Sequence, residues 1–200
     1  MSTITLEQEA VDRAVGFHRS LCPGLALGIK AAQIAVNELG EWPENIVAVV
    51  ESDICAVDGV QAVTGCTIGN RNLIVKDYGK NVYTFWRRSD GKAIRIHGEP
   101  AWNPAYQALR KKVSSGNATP AEIELLELST ESEAKRILDA DPYTLFEVHP
   151  IAAPVPETST VDPWITCPIC HEQVMETRAC QLDGQAVCQP CFETAQAAAA

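Results

Sequence analysis

The chain is short of positive charge. Only 16 Lys and Arg stand against 26 Asp and Glu in 200 residues, a net charge of -10. So acidic a chain has little electrostatic attraction for nucleic acid or an anionic membrane, and neither is expected as a partner. No apolar run is long enough to span a bilayer. Residues 1–16 are polar and acidic and lack the apolar segment of a secretory signal, so a cytoplasmic location is expected. No internal repeat is visible. In such a setting the 8 cysteines read as metal ligands or reactive thiols rather than as a disulfide frame. What is present, 46% apolar and 21% charged residues, suffices for one good core and a small appendage.

The stretch Phe17–Gly28 draws attention first. His18 and Cys22 lie four residues apart, and Pro23 follows at once. Proline suits the first helical position and pushes its predecessor out of the helical region. Cys22 is therefore expected to cap a helix running to Leu39, with Gly40 as its stop. A sulfur at that positive end is favoured as thiolate, the form that binds metals and attacks electrophiles. The alternative is a small buried cysteine beside a hydrogen-bonded core histidine. The same helix has an apolar stripe (Leu25, Ile29, Ala32, Val36, Leu39) and a stripe of small residues (Gly24, Gly28, Ala31, Ala35). The small stripe predicts close approach by a neighbour: another helix, the sheet or a second copy of the chain.

The pattern elsewhere is mixed α and β. Thr5-x-x-Gln8 opens a first helix with the stripe Leu6, Ala10, Ala14, Phe17 and Leu21. Residues 45–51 read as a buried strand and 55–64 as a short helix. Residues 73–76, 81–87 and 92–97 read as three strands whose short turns predict an antiparallel meander. Residues 104–113 look helical, 120–140 look like two helices broken near Ser129, and 145–148 like a strand. The overall expectation is an α+β fold: helices on a mainly antiparallel sheet, plus a small C-terminal zinc module. The expected domains are a core over 1–149, a proline-rich linker over 150–163, the module over 164–193 and a disordered tail over 194–200.

Cys167-Pro-Ile-Cys170 is followed, after seventeen residues, by Cys188-Gln-Pro-Cys191. Two such hooks are a zinc pattern, because each turn presents two thiolates to one ion. Leu182-Asp183-Gly184-Gln185 reads as the hairpin turn that returns the second hook. Four sulfurs fill the coordination shell, which indicates a structural rather than a catalytic site; a pair of redox dithiols is the competing reading. Cys180 and His171 are left as bystanders. In residues 164–193 the acids Glu172, Glu176, Asp183 and Glu193 oppose only Arg178, so phosphate attraction is missing. Cys22, Cys55 and Cys66 lie at element junctions in the larger part, where sites are usually assembled. Together with His18 they are candidates for a second transition-metal site, with His18, Cys22 and Cys66 as the candidate reactive set and Cys55 weaker. Asp58 and Lys76 are candidate polar helpers.

Residues 17–24, FHRSLCPG, resemble the FHGHxCPG signature of the FmdE family, named for the E component of formylmethanofuran dehydrogenase. Residues 51–61 and 64–73 resemble its second block, and Asp77-Tyr78-Gly79-Lys80 also fits. The likeness covers about residues 10–150. It implies an α+β core, commonly a homodimer, with the His/Cys motif lining a metal or active-site cavity; some members carry a C-terminal treble-clef zinc module. Arg19 and Ser20 replace a glycine and a histidine of that signature, so this site has one imidazole fewer. With no ferredoxin-like cysteine run and no evident pterin site, the resemblance implies a metal-binding accessory protein rather than the catalytic pterin component. The alternative is an interaction or regulatory protein that docks a partner through its zinc module. The residues leave open whether the chain is an enzyme.

Overall fold

The computed structural model describes residues 8–40, 45–98, 102–158 and 162–199. They form two compact units, residues 1–156 and 157–200. In the first unit the elements run α1 (Gln8–His18), α2 (Pro23–Leu39), β1 (Ile46–Val50), α3 (Ala56–Thr64), β2 (Leu73–Val75), β3 (Val82–Arg87), β4 (Ala93–His97), α4 (Pro104–Ser114), α5 (Pro120–Asp139), α6 (Pro142–Leu145) and β5 (Glu147–Ile151). The strands make one sheet in the order β2-β1-β3-β4-β5. Three of its four pairings are antiparallel; β1 with β2 is parallel. The fold is thus α+β with a mainly antiparallel sheet.

Helix α2 is the centre of this unit. Leu25, Ala26, Ile29, Ala31, Ala32, Ile34, Ala35 and Leu39 have no exposure at all. Burial on every side explains a run with few charges and no clean polar face. One side meets the sheet through Ile46, Ala48, Val50, Tyr83, Phe85, Ile94 and Ile96. The other meets α1 and α3 through Ala14 and Val63. The small-residue stripe finds α3 as its neighbour. A Cβ on Gly28 would stand 2.0 Å from the Ala56 carbonyl oxygen, and one on Gly59 2.7 Å from the Leu25 carbonyl oxygen. The two backbones touch there, which only glycine permits.

Several expectations are corrected. Strand β2 does not join a meander with β3. It pairs parallel with β1 because α3 carries the chain over as a crossover, and β1 lies between β2 and β3. The tight Asp77–Lys80 connection steps across β1, with the Tyr78 and Lys80 amides both donating to the Glu51 carbonyl. The 120–140 stretch is one helix, α5. The Thr130 hydroxyl donates back to the Leu126 carbonyl, so it never caps a second helix. On α1 the buried side is Ala14 with Val11 and Val15, whereas Phe17 is 58% exposed. Thr5 and Leu6 lie outside the described residues. Residues 150–156 stay with the first unit. Pro150 and Ile151 lie in β5, where an edge strand tolerates proline, and the Trp86 indole donates to the Ala153 carbonyl at 3.1 Å.

The second unit holds two hairpins and a helix: β6 (Trp164–Thr166) with β7 (Gln173–Met175), β8 (Cys180–Leu182) with β9 (Gln185–Val187), then α7 (Gln189–Ala199). Asp183 and Gly184, both at positive φ, make the turn between β8 and β9. The alanine-rich stretch continues α7, in keeping with alanine's helix propensity. Apart from cysteines, the core is only Val187 with Val174, Leu182 and Phe192 against it. So small a core needs another source of stability.

Candidate metal centres

The second unit's four cysteines converge. The ligand atoms of Cys167, Cys170, Cys188 and Cys191 all lie within 4.8 Å of one another, and none is in a disulfide. Cys170 and Cys188 sulfurs are 3.7 Å apart. With Zn–S bonds near 2.3 Å, two sulfurs on one tetrahedral zinc stand about 3.8 Å apart. The Cys188 amide donates to the Cys167 sulfur at 3.4 Å. Donation from the Cys170 and Cys188 backbone pulls the Cys167 thiol down to about 6. The hook turns tightly, with the His171 amide donating to the Cys167 carbonyl at 2.9 Å and His171 at φ 63°. Donor type, spacing and geometry all fit zinc. Cys180 and His171 are not members of the cluster.

In the first unit a second group forms from His18, Cys22 and Cys55, again within 4.8 Å of one another. Each has a structural reason to be there. Cys22 is the N-cap of α2, accepting from the Leu25 amide at 3.4 Å. Cys55 is the N-cap of α3 and makes no capping bond with its side chain, which leaves the sulfur available. The positive ends of two helices therefore meet at two sulfurs. Gly24 makes this possible: a Cβ there would lie 3.0 Å from Cys55 Cβ. Burial and the Cys22 sulfur raise the Cys55 pKa above its ordinary value. His18 ends α1. Its Nε2 is 3.6 Å from Cys22 Sγ, and its Nδ1 is 2.7 Å from Asp58 Oδ2. Asp58 sits in the first turn of α3 and also accepts from Gln61. With the proton on Nδ1, the carboxylate holds the ring so that Nε2 offers its lone pair towards the sulfurs. Nitrogen and sulfur on one zinc stand about 3.6 Å apart, the separation found here.

Cys66 does not join this group. It has no exposure, its thiol donates to the Ile46 carbonyl at 3.5 Å, and burial raises its pKa. The loop after Gly65 tucks beneath the sheet rather than opening on the hollow. Lys76 is exposed. Arg19, in the signature's glycine position, is forced to φ 76°. Ser20 is exposed.

Cys22 and Cys55 open on a cavity of about 1130 Å3. Its far wall includes Trp102, Tyr106 and Arg110, with the guanidinium 5.2 Å from the Trp102 ring centre and 6.0 Å from that of Tyr106. No sequence pattern marked this wall, because α4 and the residues before it meet α2 only through the fold. The profile of the family described as "FmdE, Molybdenum formylmethanofuran dehydrogenase operon" matches residues 17–147. The chain belongs to the FmdE family. FmdE membership accounts for both the His/Cys junction and the core that carries it. The crystal structure of an FmdE-like protein of tungsten formylmethanofuran dehydrogenase, from Syntrophus aciditrophicus, superposes with a TM-score of 0.64 over 96% of each chain. At 22% identity, that likeness speaks for the fold alone. A probable S-adenosyl-L-methionine-binding protein of Archaeoglobus fulgidus is 45% identical over 92 residues, 42% of this chain and 25% of that protein. The chain thus spans about a quarter of that relative's length.

Proposed function

We propose that this FmdE protein is a two-centre metal protein. Cys167, Cys170, Cys188 and Cys191 hold a structural zinc, and His18, Cys22 and Cys55 hold a second transition metal facing the cavity. The observation that carries the second centre is the His18 set: an imidazole oriented by Asp58, with two sulfurs at two helix N-termini. Three protein ligands leave a coordination position open, as catalytic zinc sites do. A metal there would polarise a bound carbonyl or activate water. The chain's own residues supply the orientation of His18, the thiolate-favouring helix ends and the walls of the cavity. No pterin or iron–sulfur ligand set accompanies them among the described residues, which supports an accessory rather than a pterin-bearing role. The reading divides the chain into a core over 1–149, a linker over 150–163 and the module over 164–193. It places the protein in the cytoplasm, consistent with no described helix being long and apolar enough to cross a membrane. It also includes the homodimer that the family implies, for which Leu125 and Leu128, 55% and 72% exposed on α5, offer apolar surface.

Cobalt substitution tests the core centre. Wild type should take up cobalt at both centres with sulfur-to-metal absorption, and Cys22→Ser should lose one equivalent and part of that absorption. Serine also caps helices well, so α2 should persist. Equal cobalt content and equal thiol reactivity in both proteins would refute the core centre.

A second reading is that the module docks a protein. Its strand β6 and first hook expose Trp164 by 56% and Ile169 by 51%. Hook, hairpin and a helix starting at the second hook follow the treble-clef order. If deleting residues 160–200 leaves all partner binding intact, this reading fails.

A further inference from the structure

The chain has only four histidines, and two of them meet on the sheet. In the pairing of β4 with β5, His97 lies opposite Glu147 and Arg95 opposite His149. Side chains alternate along a strand, so His97, Glu147 and His149 share one face. Ile94, Ile96 and Val148 take the opposite face, against the core. The imidazoles stack with centroids 5.3 Å apart and planes 17° from parallel. One carboxylate oxygen, Glu147 Oε2, is 3.6 Å from His97 Nε2 and 3.4 Å from His149 Nε2. A nitrogen-to-oxygen hydrogen bond settles at about 2.7–3.2 Å, and neither contact reaches that range. Two ligand atoms on one tetrahedral zinc, each about 2.0–2.2 Å from the ion, stand about 3.4 Å apart. The three ligand atoms all lie within 4.8 Å of one another. They are separated as atoms around an ion are, and are too far apart to satisfy each other.

We propose that His97, Glu147 and His149 form a third metal site, for a divalent first-row transition ion. Two neutral imidazoles and a carboxylate suit zinc, iron(II), cobalt or nickel and disfavour thiophilic copper(I). Their single negative charge would offset part of the ion's charge. β5 is the edge of the sheet, and the side chains of His97, Glu147 and His149 are 41%, 71% and 55% exposed. The ion would therefore enter directly from solvent and keep open positions for water or a ligand. His97 also lines the cavity onto which Cys22 and Cys55 open, so an exchangeable ion here would border the same hollow. No part of this site depends on the cysteines.

Zinc is the probe, added to the full chain with its structural zinc in place. Cys22→Ser/Cys55→Ser keeps the core centre out of the signal. With four histidines, each ring's nitrogen resonances can be followed separately. One further equivalent of zinc at micromolar concentration should shift those of His97 and His149. His149→Ala and Glu147→Gln, both at exposed positions, should weaken that binding by about 10-fold or more, since lesser changes around a metal already cost about 10- to 100-fold. Resonances of His97 and His149 that stay still until zinc is millimolar would overturn the site. So would equal zinc affinity in wild type and His149→Ala.

Discussion

At the scale of single residues, the core centre turns on which groups face one another across three segments. Asp58 shows this best. It touches no sulfur, yet it fixes the tautomer of His18 through a 2.7 Å contact. Asn at this position can still accept from Nδ1 but no longer carries the charge that strengthens the imidazole as a ligand. Asp58→Asn should therefore lower metal affinity of the core centre by about 10- to 100-fold. The four-cysteine site should be untouched. Competition with a chromophoric chelator measures both in one sample, and equal affinity in variant and wild type would refute the role given to Asp58. The same residues mark where sequence reading stops. Cys22 as an N-cap was legible, because Pro23 after it and Gly40 at the end bound a helix by local rules alone. The ranking of Cys66 above Cys55 was not: both lie beside a helix end, and only packing decides which thiol faces a hollow and which the Ile46 carbonyl.

At the scale of elements, the site depends on how closely α2 and α3 approach. Gly28 and Gly59 set that distance. Gly28→Ala places a methyl 2.0 Å from the Ala56 carbonyl oxygen, which is backbone and cannot rotate away. The helices must part, at a cost of about 1–3 kcal/mol or more. Because Cys22 and Cys55 head these two helices, core metal binding should fall together with the denaturation midpoint. A variant with wild-type midpoint and metal content would show that the contact is not needed. Helix α5 offers a pH test. Its capping box joins Thr119 and Glu122, and Lys112 pairs with Glu122 as well. These partners hold the Glu122 carboxyl at about 2, below its usual 4.5. A depressed carboxyl stabilises the fold above pH 4.5, and that contribution is lost as pH falls from 4.5 towards 2. Glu122→Gln should therefore narrow its gap to wild type across that window in thermal melts; a gap constant from pH 7 to pH 2 would contradict the assignment. The Thr119 box was readable from sequence, since it is entirely local. The Thr130 box looked the same on paper but lost to tertiary context. Glu133 there is drawn to Arg136 and to the Asn103 amide, leaving the Thr130 hydroxyl to its own helix. The parallel seat of β2 was likewise hidden, because a short loop can step over a neighbouring strand as readily as join it.

At the scale of the molecule, two units keep their order by different means. The first has a continuous core built on α2 and the sheet. The second sets three buried residues, two of them cysteines, against a few half-buried side chains. Apolar burial on that scale cannot offset the entropy of ordering some thirty residues, which costs about 1–2 kcal/mol each for the backbone alone. The difference must come from an ion, and structural zinc supplies about 10–16 kcal/mol in peptides of this kind at neutral pH. Removing metal with a strong chelator should therefore melt residues 164–192 and leave the sheet intact. Hydrogen exchange separates the two. The amides of β6 to β9 should lose protection on chelation and regain it with zinc, while those of β1, β3 and β4 stay protected throughout. If the β8 and β9 amides stay protected after the metal has gone, the small unit holds itself together and zinc is a passenger. If the amides of β1 and β3 lose protection as well, the larger unit leans on metal to a degree that its closed core gives no reason to expect.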